Sequence, residues 1–146
     1  MQNYSKHQYR QTEVGTADRG RLVVLLYEGA INFLKKAKND VQEGNIEEKC
    51  NNINRATNII QELNNSLKMD EGGEIAGNLR NLYFFMEKCL VKAKIEKDGT
   101  KKMDEVIAML SSLCEAWVEI STKPEVKNII PADTSTSLGL NRGINA

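Results

Sequence analysis

Residues 1–123 contain no proline, the two prolines of the chain being Pro124 and Pro131. Proline is the residue that most reliably ends or kinks a helix, so a proline-free run of this length leaves long helices open. Glycines at 44, 72, 73 and 99 cut the run at nearly even intervals, and glycine just past a helical stretch is the common stop signal. The chain is thereby restricted to a series of long helices joined by short turns.

Apolar periodicity fills in those helices. The first runs from an N-cap at Asp18 to about Glu43, where Gly44 ends it. At about 100° per residue, Leu22, Leu26, Ala30, Phe33 and Ala37 fall on one stripe, whereas Val24 and Ile31 fall nearly opposite. A small bundle needs one buried stripe per helix, so a second apolar face means either deep burial or a surface kept for a partner. The second helix, about 45–67, carries Ile46, Cys50, Ile53, Ala56, Ile60, Leu63 and Leu67 in steps of three and four. Met69-Asp70-Glu71-Gly72-Gly73 reads as a turn. Ile75, Leu79, Leu82, Met86, Cys89 and Ala93 then draw a third helix, which ends near Asp98-Gly99. Thr100 or Asp98 caps a fourth, with Met103, Val106, Leu110, Leu113, Trp117 and Ile120 on its stripe and Cys114 beside it. The pattern predicts an all-α fold, an antiparallel up-down four-helix bundle over residues 18–122. Residues 1–17 are polar and form an extended N-terminal segment. Residues 123–146 form a disordered C-terminal tail, broken by a brief contact at Ile129-Ile130.

Composition excludes several functions. Twenty basic residues against 20 acidic ones give a net charge of +0, which argues against a nucleic-acid footprint. No run reaches the roughly 18 apolar residues that span a bilayer, and the N-terminus has no apolar signal core, so a cytoplasmic protein without membrane insertion is expected. Cys50, Cys89 and Cys114 form no CxxC pair and sit on or beside apolar stripes, the pattern of shielded free thiols. The sole histidine, His7, lies in the polar N-terminal segment, so the Glu-x-x-His pairs of a di-metal bundle are missing. Gly72-Gly73 has neither the lysine nor the strand of a phosphate loop, and the carboxylates are scattered along polar faces. The sequence predicts no enzyme and no cofactor.

Binding is what remains. On the third helix Phe84 points about 180° from Ile75, and Val91 shares its side with Ile95 close by. Either that helix is central and touches neighbours on several sides, or these residues line seams that accept a client helix through anchors at i, i+3, i+4 and i+7.

Several motifs together resemble the FliS family of flagellar secretion chaperones. They are Tyr9, Val14, Thr16-Ala17, then Leu22-Val23-Val24-Leu25-Leu26-Tyr27-Glu28-Gly29-Ala30, Leu63-Asn64-Asn65-Ser66-Leu67, Gly72-Gly73-Glu74-Ile75-Ala76, Asn78-Leu79, Leu82-Tyr83 and Trp117. The match covers about residues 4–120 in order. It departs from the family where Asp18-Arg19 replaces a Ser/Thr-Pro pair and where Lys6 replaces a first tyrosine. The resemblance implies a cytoplasmic, non-enzymatic chaperone that binds the disordered C-terminal region of flagellin and blocks premature polymerisation. It also implies delivery of that client to a component of the flagellar export apparatus, and an N-terminal segment folded back as a cap over part of the client site. With the outward faces, this gives Tyr9, Val14, Val24, Tyr27, Ile31, Phe84 and Val91 as client-binding residues. Two other classes stay open, a bundle that acts as adaptor or anti-factor for a folded regulator, and a structural homo-oligomer.

Overall fold

The computed structural model describes residues 16–120 in backbone and 19–120 in side chain. Four helices account for nearly all of them: α1 (Thr16–Gln42), α2 (Ile46–Asn65), α3 (Met69–Ile95) and α4 (Thr100–Ile120). The expectations for residues 1–15, with Tyr9 and Val14, and for the tail after Ile120 lie outside the described residues.

Local chemistry sets most of the boundaries. α1 ends in paired bonds from Gly44 N to Val41 O (3.1 Å) and from Asn45 N to Asp40 O (2.9 Å), the Schellman pattern that satisfies its last carbonyls. Asn45 also caps α2, its side chain accepting from Glu48 N at 3.1 Å, and Glu47 and Glu48 complement the positive end of that helix. Asp98 Oδ1 accepts from Thr100 N at 2.8 Å at the entry to α4, and the bonds with Thr100 hold its carboxyl below the usual range. Gly99 between them has φ +76, and an added Cβ would stand 2.4 Å from the Ala93 carbonyl oxygen. Only glycine fits that corner.

Two boundaries differ from the sequence reading. The backbone is already helical at Thr16, which puts Asp18 inside the first turn and not at the cap position. The predicted turn at Met69–Gly73 is a helical turn as far as Gly72, whose amide bonds Lys68 O at 2.7 Å. The break falls at Gly73 alone (φ 60, ψ -136), a conformation that costs glycine little, and the helix resumes at Glu74.

Cross-helix bonds fix the directions. Along α1 and α4, Lys38 pairs with Asp104 while Tyr27 meets Trp117, so residue numbers rise on one helix as they fall on the other. The same holds for α2 and α3, through Lys94 to Asn54 (2.8 Å) and Gln61 to Glu87 (3.5 Å). Each helix packs on its neighbours in sequence, and α1 also packs on α4. This is the antiparallel up-down bundle the periodicity predicted.

The core contains Val23, Tyr27, Ala30, Leu34 and Ala37 of α1; Ile53, Ala56, Ile60 and Leu63 of α2; Leu79, Tyr83, Met86, Leu90 and Ala93 of α3; and Met103, Val106, Leu110 and Trp117 of α4. Each of the larger apolar side chains stabilises the bundle by roughly 1.5–3 kcal/mol. On α1 this stripe is rotated by about 60° from the predicted one, and Leu22, Leu26 and Phe33 are only half-buried. The cause is that α1 is apolar over most of its circumference, so its neighbours choose the buried centre. On α3 the stripe likewise passes through Ala76 and Tyr83, which leaves Ile75 56% exposed and Leu82 half-buried. Ile46, at the first turn of α2, is exposed too. The three cysteines are free, as expected, but only Cys89 is buried. Cys50 and Cys114 are partly accessible because each flanks its stripe.

Candidate apolar seams and the buried hydroxyl triad

Helical phase sorts the apolar residues outside the core into flanks. Lys38, which pairs with Asp104, and Glu28, whose charge pushes the Cys114 thiol up after burial does, mark the α1 flank turned to α4. Val24 and Ile31 lie on that flank and are half-buried. With Ile107 and Val118 of α4, the latter 56% exposed, they line an α1/α4 seam.

On α3, Arg80, Glu87 and Lys94 bond to α2 and mark the side turned to that helix. Phe84, Val91 and Ile95 stand just outward of them, 49%, 51% and 79% exposed. Phe84 and Val91 are therefore exposed, but on the opposite side of the bundle from Val24 and Ile31. No single patch holds the four.

Between these two regions lies a seam that sequence reading missed. Cys89, whose thiol is pushed up by burial and by Glu105 of α4, marks the α3 flank turned to α4. Ile75, Leu82 and Phe85 share that side, and Met109, Leu113 and Ile120 lie on the facing flank of α4. Periodicity alone puts Leu82, Leu113 and Ile120 on the core stripes and leaves Phe85 unassigned. The available signal was the Phe84-Phe85 pair, since adjacent helical residues diverge by about 100° and both cannot be core. α2, by contrast, turns Asn54, Asn58, Gln61 and Asn65 outward. Apart from Leu25 of α1 and Ile46 at the start of α2, the large exposed apolar residues lie on α3 and α4.

Tyr27 belongs elsewhere. It was expected at the client surface, but its side chain is fully buried, and its hydroxyl accepts from Trp117 Nε1 at 3.0 Å and shares a hydrogen bond with the Tyr83 hydroxyl. Burial pushes its pKa up to about 12, against the lowering effect of the bonds to Tyr83 and Trp117. Burial likewise raises Tyr83 well above the ordinary tyrosine range. These three side chains join α1, α3 and α4 behind the seams. A second buried anchor is Lys49, 1% exposed, whose Nζ donates to Glu96 O at 2.7 Å, at the C-terminal end of α3. An ammonium there meets the negative end of the helix dipole.

Among the described residues no group of three or more His, Cys, Asp or Glu is arranged to hold a metal ion, and no helix is long and apolar enough to cross a membrane. A shallow pocket at the α3–α4 turn is lined by Glu96, Asp98, Gly99, Thr100, Lys101 and Asp104, of mixed charge and without an apolar anchor. The arrangement as a whole can hold apolar side chains of an extended or helical partner along several seams of one rigid bundle.

The family model described as Flagellar protein FliS matches residues 1–124. The chain is 34% identical over 122 residues to the flagellar secretion chaperone FliS of Vibrio cholerae, covering 84% of this chain and 88% of that one. It is 34% identical over 114 residues to the protein of the same name in Salmonella typhimurium, with 77% and 84% covered. It is also 34% identical over 109 residues to the one in Bacillus subtilis, with 75% and 80% covered.

Proposed function

The chain belongs to the FliS family, and on that premise we propose that it is a cytoplasmic, non-enzymatic export chaperone for flagellin. In this reading the disordered C-terminal region of flagellin lies along the seams, is thereby kept from polymerising, and is handed to a component of the export apparatus. The observation that carries it is the exposed apolar surface, most of it on α3 and α4, of a bundle whose core is already complete without it. A folded regulator would dock on one flat patch, whereas a surface divided among several seams suits a chain that orders as it binds. Such a client loses conformational entropy on binding, so it needs a large contact area and gives moderate affinity for that area, which suits a partner that must be released.

Val24, Ile31, Phe84 and Val91 are the contacts on this reading, joined by Leu82, Phe85, Met109 and Leu113. Tyr27 acts from behind, by holding α1 to α3 and α4. Tyr9 and Val14 precede α1 and serve in the N-terminal cap over part of the same surface.

Phe84 gives the cleanest test because it is half exposed and lies off the core. Covering its remaining surface, roughly 100 Å², contributes about 2.5 kcal/mol to a complex. Phe84→Asp should therefore weaken calorimetric binding of a flagellin C-terminal peptide by at least about 30-fold, with the melting temperature nearly unchanged. Binding that is indifferent to changes at Phe84, Phe85 and Ile31 alike would sink the proposal. A native mass that falls to the monomer only in these variants would assign the seams to self-association instead.

A further inference from the structure

The α3/α4 seam has no cover among the described residues, although Ile75 is 56% and Phe85 48% exposed and Leu82, Met109, Leu113 and Ile120 are half-buried. The described part of α4 ends at Ile120, which is itself on that flank. Beyond it, Pro124 and Pro131 bracket Glu125-Val126-Lys127-Asn128-Ile129-Ile130, with apolar residues at i, i+3 and i+4. The family match covers residues 1–124, and this apolar run lies beyond it.

We propose that Val126, Ile129 and Ile130 dock on the α3/α4 seam of their own chain and so compete with the client there. The competition rests on the proposed function, whereas the docking does not. Reach permits it. From Ile120 back to Met109 the seam is about 16 Å long at the helical rise, while the ten residues 121–130 can extend to roughly 33 Å. Ser121-Thr122-Lys123-Pro124-Glu125 is enough to reverse the direction, and Pro124 stops α4 from continuing. A tether this short holds the segment at an effective concentration on the order of millimolar. Three apolar side chains are a weak ligand in solution, but at that concentration weak contact suffices, and no second copy at micromolar concentration displaces it. Residues 1–15 join the bundle at α1, which borders α4 from its other side. The tail is thus the segment delivered directly to this seam.

The test uses the full chain. Ile129→Asp and Ile130→Asp are combined in one variant, which changes no bundle residue. The methyl resonances of Ile75, Leu82, Met109, Leu113 and Ile120 should move relative to the unaltered chain, while those of Val24, Ile31 and Ile107 stay. The difference should be the same at all protein concentrations. Unmoved seam methyls would overturn the docking, and so would shifts that grow with protein concentration, since those assign the segment to another copy. In a second measurement both proteins are titrated with a flagellin C-terminal peptide. A segment docked nine-tenths of the time lowers apparent affinity about tenfold, so the variant should bind severalfold more tightly. Equal affinity in the presence of the methyl shifts would overturn the competition. Because the first measurement contains no client, its failure leaves the chaperone reading where it stood.

Discussion

Replacing Tyr27 by Phe removes a single oxygen from the middle of the bundle and keeps the ring. Trp117 Nε1, 3.0 Å from that oxygen and part of a side chain only 5% exposed, then loses its acceptor, and the Tyr83 hydroxyl loses its neighbour. An orphaned buried donor costs about 1–3 kcal/mol and a lost neutral bond a further ~0.5–1.5, so Tyr27→Phe should destabilise by about 2–4 kcal/mol. Tyr83→Phe leaves Tyr27 still accepting from Trp117, and its cost should stay near 0.5–1.5 kcal/mol, roughly that of one bond. Once Tyr27 is Phe, removing the Tyr83 hydroxyl should add almost nothing, because its partner is already gone. The two changes should therefore be non-additive by at least about 0.5 kcal/mol. Urea unfolding measures all three variants, followed by far-ultraviolet circular dichroism and by the emission of Trp117, the sole tryptophan. For a bundle of this size the Tyr27→Phe loss corresponds to a fall in melting temperature on the order of 10 °C or more. Equal costs for the two single variants, or simple addition in the double one, would refute the idea that Tyr27 is the hub.

Alkaline stability should follow the same hydroxyls. With Tyr27 raised to about 12 and Tyr83 also raised well above its ordinary value, both stay protonated when folded and ionise more readily when unfolded. Their contribution is complete below about pH 10 and is lost as pH climbs through about 12; for Tyr27 alone it is about 3 kcal/mol, and a urea midpoint that falls equally steeply in Tyr27→Phe would contradict this. A colorimetric thiol reagent should find two faster thiols, Cys50 and Cys114, and one slow one, Cys89, in the native protein; a single rate for all three would show the burial to be wrong. Gly99→Ala should lower the melting temperature by several degrees, since the new Cβ meets the Ala93 carbonyl at 2.4 Å on a backbone with φ +76; an unchanged melting curve would mean that the corner relaxes freely. Lys49→Met should destabilise by ~1–3 kcal/mol by leaving the Glu96 carbonyl unpaired, and a neutral outcome in urea unfolding would show that water replaces the ammonium.

The helices and their order were determined by the sequence alone. Gly44 and Gly99 mark two of the turns in the structure and Gly73 the break within α3, because a residue without Cβ is needed wherever φ is positive, and that need is local. The stripes of α2 and α4 were also legible, since each helix has one apolar face and a polar opposite, so Ile53, Ala56, Ile60, Met103, Val106 and Leu110 could be core and nothing else. On α1 and α3 periodicity gave out. Both are apolar around most of their circumference, and a 3.6-residue period cannot say which part of such a surface turns inward. Only the packing of four helices at once decided that Tyr27 and Tyr83 meet in the centre while Leu82, Phe84 and Phe85 turn toward the surface. The hydroxyls show why sequence could not supply this. A buried tyrosine is tolerable only where a partner is waiting, and the partners of Tyr27 lie 56 and 90 residues further along the chain.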